Sequence, residues 1–307
     1  MMLQEPSRSL GPDCARETVQ SALKSATGIL RQAGIESARL DAEVLLAAVV
    51  GAGKEDLYSR SERALTVEET NRYCDLVGRR SRSEPVAYIV GSREFWSLDF
   101  CVAPGVFIPR PETELLVELT GKFLHAQGKR ENSVVRVLDL CAGSGAIAVS
   151  LAQERSDLEI WGTELSPKAV RMAGSNAARH GVETRCRFLQ GDLFEPVRDR
   201  TDFFDVIVSN PPYIRGAELH TLPVDVRDWE PMLALDGGAD GMEFYRRIFE
   251  QAPVHLTEEG FVLVEIGSDL EAQVCGLISL SGVYREGVVH ADYTGRARAV
   301  SARKLPS

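Results

Sequence analysis

From Glu112 onward, short apolar runs alternate with longer amphipathic stretches, and this alternation limits the fold more than any other feature. The spacing predicts a helix from 114 to about 125, then strand 134–140, helix 146–153 and strand 159–163. Helix 167–180, strands 187–190 and 205–209, a helix from 242 to about 252 and strand 260–266 continue the series. This order predicts a doubly wound α/β domain with a largely parallel sheet, because parallel neighbours need helical crossovers. Ligands of that architecture bind outside the carboxyl ends of the central strands. Three unusual segments fall at such ends.

The first, Asp139-Leu140-Cys141-Ala142-Gly143-Ser144-Gly145, is a strand feeding a glycine-rich turn and then a helix. Glycines let the backbone approach a ligand and present N–H groups at the helix N-terminus. Cys141, Ala142, Gly143, Ser144 and Gly145 are therefore candidate cofactor contacts. Gly143, Gly145 and Ala148 also fit G-x-G-x-x-A, so a nicotinamide dinucleotide competes for the loop, as does a turn with no ligand. Glu164, about 20 residues on at the next strand's end, would hold ribose hydroxyls in either case.

The second segment, Gly191-Asp192-Leu193-Phe194, follows strand 187–190. The third, Asn210-Pro211-Pro212-Tyr213, follows strand 205–209. Asn210 and Pro211 each precede a proline, so the turn is stiff and its carbonyls face few competing donors. A planar amide or exocyclic amine could lie on the Tyr213 ring and donate to the Asn210 side-chain oxygen and the Pro211 carbonyl. The plain alternative is a tight loop. A dehydrogenase needs a proton-handling group, often His, near its hydride acceptor, and none of the 5 histidines falls in these segments.

The N-terminal part reads differently. From 16 to about 82, apolar stripes such as Val19, Leu23, Ile29 and Leu30 recur at helical spacing, with breaks near Gly34 and Gly51-Ala52-Gly53. We expect a helical bundle over 16–84. Tyr88-Ile89-Val90 and residues 95–102, separated by Gly91-Ser92-Arg93-Glu94, predict a β-hairpin within a linker over 85–106. The larger domain then spans 107–307, and the polar residues 1–15 form a disordered leader. No apolar run approaches the ~20 residues needed to cross a bilayer. A net charge of −10 argues against gripping duplex nucleic acid through its phosphates. The 6 cysteines are scattered without a C-x-x-C pair, so neither zinc nor a disulfide framework is expected, and a reducing cytoplasm fits.

These motifs carry a resemblance. Asp139 through Gly145, with its acid ahead of the first glycine, is similar to the S-adenosylmethionine loop of class I methyltransferases. Asp192 sits where that class holds the adenine amine, with Leu193 beside it as a further cofactor contact. Asn-Pro-Pro-Tyr or a close variant occurs in enzymes that methylate adenine N6, guanine N2 or the glutamine amide. The segments Pro85-Val86-Ala87-Tyr88-Ile89-Val90-Gly91-Ser92-Arg93-Glu94-Phe95-Trp96 and Phe107-Ile108-Pro109-Arg110-Pro111-Glu112-Thr113-Glu114 resemble the protein-(glutamine-N5) methyltransferases, the HemK/PrmC family. That family acts on peptide chain release factors. Residues 37–43, Glu230-Pro231, 234–241, Val264-Glu265-Ile266-Gly267 and 292–298 extend the likeness. Glu164 departs from it, because Asp is commoner there, and the added methylene alters its reach.

The resemblance implies a class I, Rossmann-like methyltransferase domain with a small N-terminal helical bundle that recognises substrate. It implies S-adenosylmethionine as cofactor, S-adenosylhomocysteine as product, no metal, and the glutamine of a release-factor Gly-Gly-Gln loop as substrate. A monomer without direct nucleic-acid or membrane contact is expected. Asn210 would orient the amide and stabilise its developing charge while also lying near the cofactor, with Pro211, Pro212 and Tyr213 completing the substrate site. No strong base is needed, since the proton can leave to water after transfer. Phe107, Pro109, Arg110 and Glu114 would cover the cofactor or flank the incoming peptide, or else form an Arg–carboxylate pair that pins the hairpin. Three alternatives stay open: a glutamine methyltransferase for a ribosomal protein, a nucleic-acid N6-adenine methyltransferase, and an idle cofactor-binding module docking on a translation factor.

Overall fold

The computed structural model describes residues 17–126 and 134–306, so the leader expected over 1–15 lies outside the described residues. The chain divides into two compact units between Val90 and Gly91. The first holds α1 (Val19–Gln32), α2 (Ala38–Val50), α3 (Lys54–Ser59), α4 (Val67–Arg80) and α5 (Val86–Val90). Thr18 and Thr66 start α1 and α4 through reciprocal capping with Ser21 and Glu69, which satisfies N–H groups the helix leaves free. Leu30, Leu45, Leu46 and Leu76 fill the interior. There Arg80 Nε donates to Asp41 Oδ2 at 2.7 Å, so neither buried charge is left uncompensated.

The hairpin departs from the sequence expectation. Tyr88, Ile89 and Val90 are helical, because the Pro85 carbonyl accepts from the Tyr88 and Ile89 N–H groups at 3.0 and 3.1 Å. Gly91, at φ +80°, ends that helix. The paired strands are β1 (Ser92–Phe95) and β2 (Leu98–Cys101), so three of the expected turn residues lie in a strand. The turn is Trp96-Ser97, both at positive φ. Two successive positive-φ residues match the twist of a tight hairpin, but Asn-Gly is the usual sequence for it, and Trp-Ser gave no such signal.

The second unit continues with α6 (Glu114–Ala126), β3 (Val135–Leu140), α7 (Ala146–Glu154), β4 (Leu158–Glu164), α8 (Pro167–Arg179), β5 (Cys186–Gln190) and β6 (Phe204–Ser209). It closes with α9 (Val224–Arg227), α10 (Glu243–His255), β7 (Leu256–Glu265), α11 (Glu271–Ser281), β8 (Val288–Ala291) and β9 (Ala297–Arg303). The seven-stranded sheet has the order β5-β4-β3-β6-β7-β9-β8 and is parallel except that β9 runs against both neighbours. Alternate residues feed two cores. Val137, Val206 and Leu263 pack with α6 and α7 on one face, while Leu138, Ile207 and Val262 pack with α10 and α11 on the other. Burial on both faces explains the near-continuous apolar runs of these strands. Among the described residues, no helix is long and apolar enough to cross a membrane.

Strands β4 and β5 lie to one side of β3, and β6 and β7 to the other. The chain therefore changes direction at β3, and a crevice opens between the carboxyl ends of β3 and β6. Leu140 and Ser209 are register partners there, and Ser209 Oγ donates to the Leu140 carbonyl at 2.8 Å. That bond holds the two strand ends level. The segments after them start side by side.

Candidate functional site

After β3 the backbone passes through positive φ at Cys141, Gly143 and Gly145 before α7 begins. A methyl group added at Gly143 would meet nothing nearer than the Cys141 carbonyl at 3.9 Å, so the loop is open above it. Gly145 has another purpose. A Cβ there would lie 3.0 Å from Ala173 and Phe188, so its bareness lets α7 start close against α8 and β5, away from the cavity wall.

Glu164 ends β4 and is fixed by backbone. Its Oε2 accepts from the Gly143 N–H at 3.0 Å and its Oε1 from the Ser166 N–H at 2.8 Å. Each oxygen keeps a lone pair for a further donor, which suits a pair of ribose hydroxyls. Burial raises its pKa, with the Ser166, Gly143 and Leu165 amides pulling the other way. Beside it in the cavity wall, Thr163 Oγ1 is buried without a hydrogen-bond partner among the described residues. A polar ligand would satisfy it.

Asp139 does not line the cavity. It is fully buried, its Oδ2 accepts from the Ala148 N–H at 3.3 Å, and desolvation pushes its pKa up to about 8, with the Glu164 charge adding. The acid ahead of the glycines thus braces the first turn of α7.

After β5, Asp192 and the buried Leu193 line the same cavity. Arg247 of α10 donates to Asp192 Oδ2 at 2.5 Å, which leaves Oδ1 to accept from an amine. After β6, Asn210 Nδ2 donates to Thr113 Oγ1 at 3.0 Å, and Thr113 donates to Glu265 Oε2 at 2.6 Å. Tyr213 donates its hydroxyl to Glu265 Oε1 at 3.3 Å, which holds the ring in the wall. Pro211 and Pro212 are buried in that wall. Backbone contact keeps Tyr213 in place: Ile214 exchanges hydrogen bonds with Leu235 and Gly237 at 3.0 and 2.8 Å. A Cβ at Gly237 would stand 2.6 Å from Tyr213 Cα, so glycine is required for this approach.

Phe107, Pro109 and Arg110 also line the cavity. Arg110 is ion-paired with Glu230, whose side chain is 1% exposed and also accepts from the Ile108 N–H at 3.2 Å. Its guanidinium lies 4.8 Å from the Phe107 ring centre. Glu114, expected with these residues, lies outside the cavity. Its Oε1 accepts from the Trp96 N–H at 2.8 Å and steadies the positive-φ hairpin turn instead. The cavity holds about 340 Å³, and apart from Gly145 and Glu114 every expected contact lines it. Thr113, Glu230, Glu265 and Arg247 carry no site signal of their own in the sequence. Only their place within the stretches quoted above, for the first three, points to them.

The PrmC N-terminal domain family matches residues 21–91, and the methyltransferase small domain family matches residues 98–225. A release factor glutamine methyltransferase from Geobacter sulfurreducens is 41% identical over 286 residues, covering 93% of this chain and 96% of that protein. One of the same description from Moorella thermoacetica is 40% identical, covering 93% of this chain and 98% of its own length. Among solved structures, the hMettl16 catalytic domain in complex with a 3'UTR hairpin aligns with a TM-score of 0.55 at 15% identity, over 75% of this chain and 82% of that one. That likeness shows the fold.

Proposed function

The chain belongs to the release factor glutamine methyltransferase family, and on that premise we propose how its residues methylate the side-chain amide nitrogen of the glutamine in a release-factor Gly-Gly-Gln loop. The observation that carries the assignment of roles is the convergence on one cavity of the glycine loop, Glu164, Asp192 and Asn210, each at the carboxyl end of a parallel strand. S-adenosylmethionine, when bound, supplies a methyl group on a cationic sulfur and leaves as S-adenosylhomocysteine.

The loop at 141–144 would receive its amino-acid part, Glu164 the ribose hydroxyls, and Asp192 with Leu193 the adenine. The polar groups fit: two carboxylates with spare lone pairs, the Thr163 hydroxyl with no partner among the described residues, and an open glycine turn. Asn210 Oδ1 and the Pro211 carbonyl would take the two hydrogens of the substrate amide, with Tyr213 against its plane. An amide nitrogen is a weak nucleophile because its lone pair is delocalised. Acceptors already in place orient that lone pair and stabilise the positive charge the nitrogen gains. The proton leaves to water afterwards, so a neutral asparagine suffices.

The helical unit would recognise the release factor. The protein would act as a monomer, and a cytoplasmic setting fits the substrate. Incubation with labelled cofactor and purified release factor tests the reading. Label is expected on the factor and absent from its Gly-Gly-Ala variant; equal labelling of both would refute it.

A further inference from the structure

Asn210, Thr113 and Glu265 form a hydrogen-bonded chain in which each partner settles the next. We infer that Thr113 and Glu265 are positioning residues that fix which end of the Asn210 amide faces the cavity, an inference resting on the reading of Asn210 as acceptor of the substrate amide. A carboxylate has no hydrogen to give, so Thr113 donates to Glu265 Oε2, at 2.6 Å. The threonine oxygen has no second hydrogen, and it accepts from the Asn210 NH2 at 3.0 Å. Oδ1 is thereby directed away from Thr113. A half-turn of the amide would set Oδ1 against the threonine lone pairs and the asparagine NH2 against the substrate NH2. Two repulsions would replace two bonds.

The chain is protected from water: Thr113 is 5% exposed and Glu265 2%. Among the described residues, no cation stands within ion-pair distance of Glu265, which lies between the fully buried Val264 and Ile266. A carboxylate is costly in such a place, and orienting Asn210 and Tyr213 gives it a use. The groups facing it are the Thr113 and Tyr213 hydroxyls, Arg298 on β9 and Glu112; the Tyr245 hydroxyl of α10 donates to its backbone carbonyl at 2.9 Å. Desolvation pushes its pKa up to about 7, with Thr113, Arg298 and Tyr213 pulling it back and Glu112 adding. Once protonated, Glu265 becomes a donor, and Thr113 can turn its hydrogen onto Asn210 Oδ1. The transfer rate should therefore fall on the acid side through this ionisation.

The full chain and its T113V, T113S and E265Q variants provide the test, using single-turnover transfer to release factor, cofactor affinity and pH profile. T113V should lose about 10- to 100-fold in rate, with cofactor affinity kept and the acid limb gone. T113S, which keeps the hydroxyl, should recover most of the rate, and E265Q should lose the acid limb. Hydrogen exchange of the Asn210 side-chain NH2 gives a readout without substrate, and it should quicken in T113V. Wild-type rate in T113V, or equal loss in T113V and T113S, overturns the inference. If the wild type fails to transfer, the reading of Asn210 falls, and unchanged NH2 exchange in T113V would separately refute the positioning chain.

Discussion

The Gly143 amide donates to Glu164 Oε2 at 3.0 Å, so the carboxylate that ends β4 also sets the loop that follows β3. The Ser166 amide holds the other oxygen at 2.8 Å. The glutamate side chain is thereby anchored at two points.

Replacing Glu164 with alanine should weaken cofactor binding by about 1.5–3 kcal/mol, the worth of hydrogen bonds to a charged group. That is about ten- to more than a hundredfold in Kd. Aspartate should fall between, since it keeps the charge but cannot reach both amides. Calorimetric titration with S-adenosylmethionine reads this directly, and unchanged affinity in E164A would place the ribose elsewhere.

Gly237→Ala tests the support behind the tyrosine. The added Cβ would lie 2.6 Å from Tyr213 Cα, a backbone atom that cannot rotate away. Overpacking of this kind costs about 1–3 kcal/mol. Thermal unfolding should show the loss, and the transfer rate should drop while cofactor affinity is retained. Full activity in G237A would mean that Tyr213 tolerates displacement.

Stability should fall as pH rises, and Asp139 should be a main cause. Its folded pKa is pushed up to about 8, well above an unfolded aspartate. A group with a raised folded pKa favours the folded state below its unfolded pKa, near 4, and that advantage is lost as pH rises through about 8. Asparagine mimics the protonated acid. D139N should therefore flatten the fall in denaturant midpoint between pH 5 and pH 9, whereas an unchanged slope would show that Asp139 titrates normally.

The catalytic unit was legible because strands buried on both faces leave apolar runs, and because glycine and proline mark the turns at their ends. Glu164, Asp192 and Asn210 stand out for that reason. The hairpin was not legible: Tyr88, Ile89 and Val90 are β-formers by type, yet Pro85 draws them into a helical turn. Glu114 looked like part of the site from its neighbours, while its partner Trp96 is eighteen residues back in the hairpin turn. Thr113 and Glu265 are 152 residues apart in sequence, and only the fold shows that they meet.

The central claim is that Asn210 orients a glutamine amide for methylation on its nitrogen. Fragment mass spectrometry of the Gly-Gly-Gln peptide after single turnover, in wild type and N210A, tests it most directly. The methyl group should sit on the glutamine side-chain nitrogen, with the N210A rate lowered on the order of 10²-fold and cofactor still bound. A methyl group on another residue, or an N210A rate equal to wild type, would contradict the account.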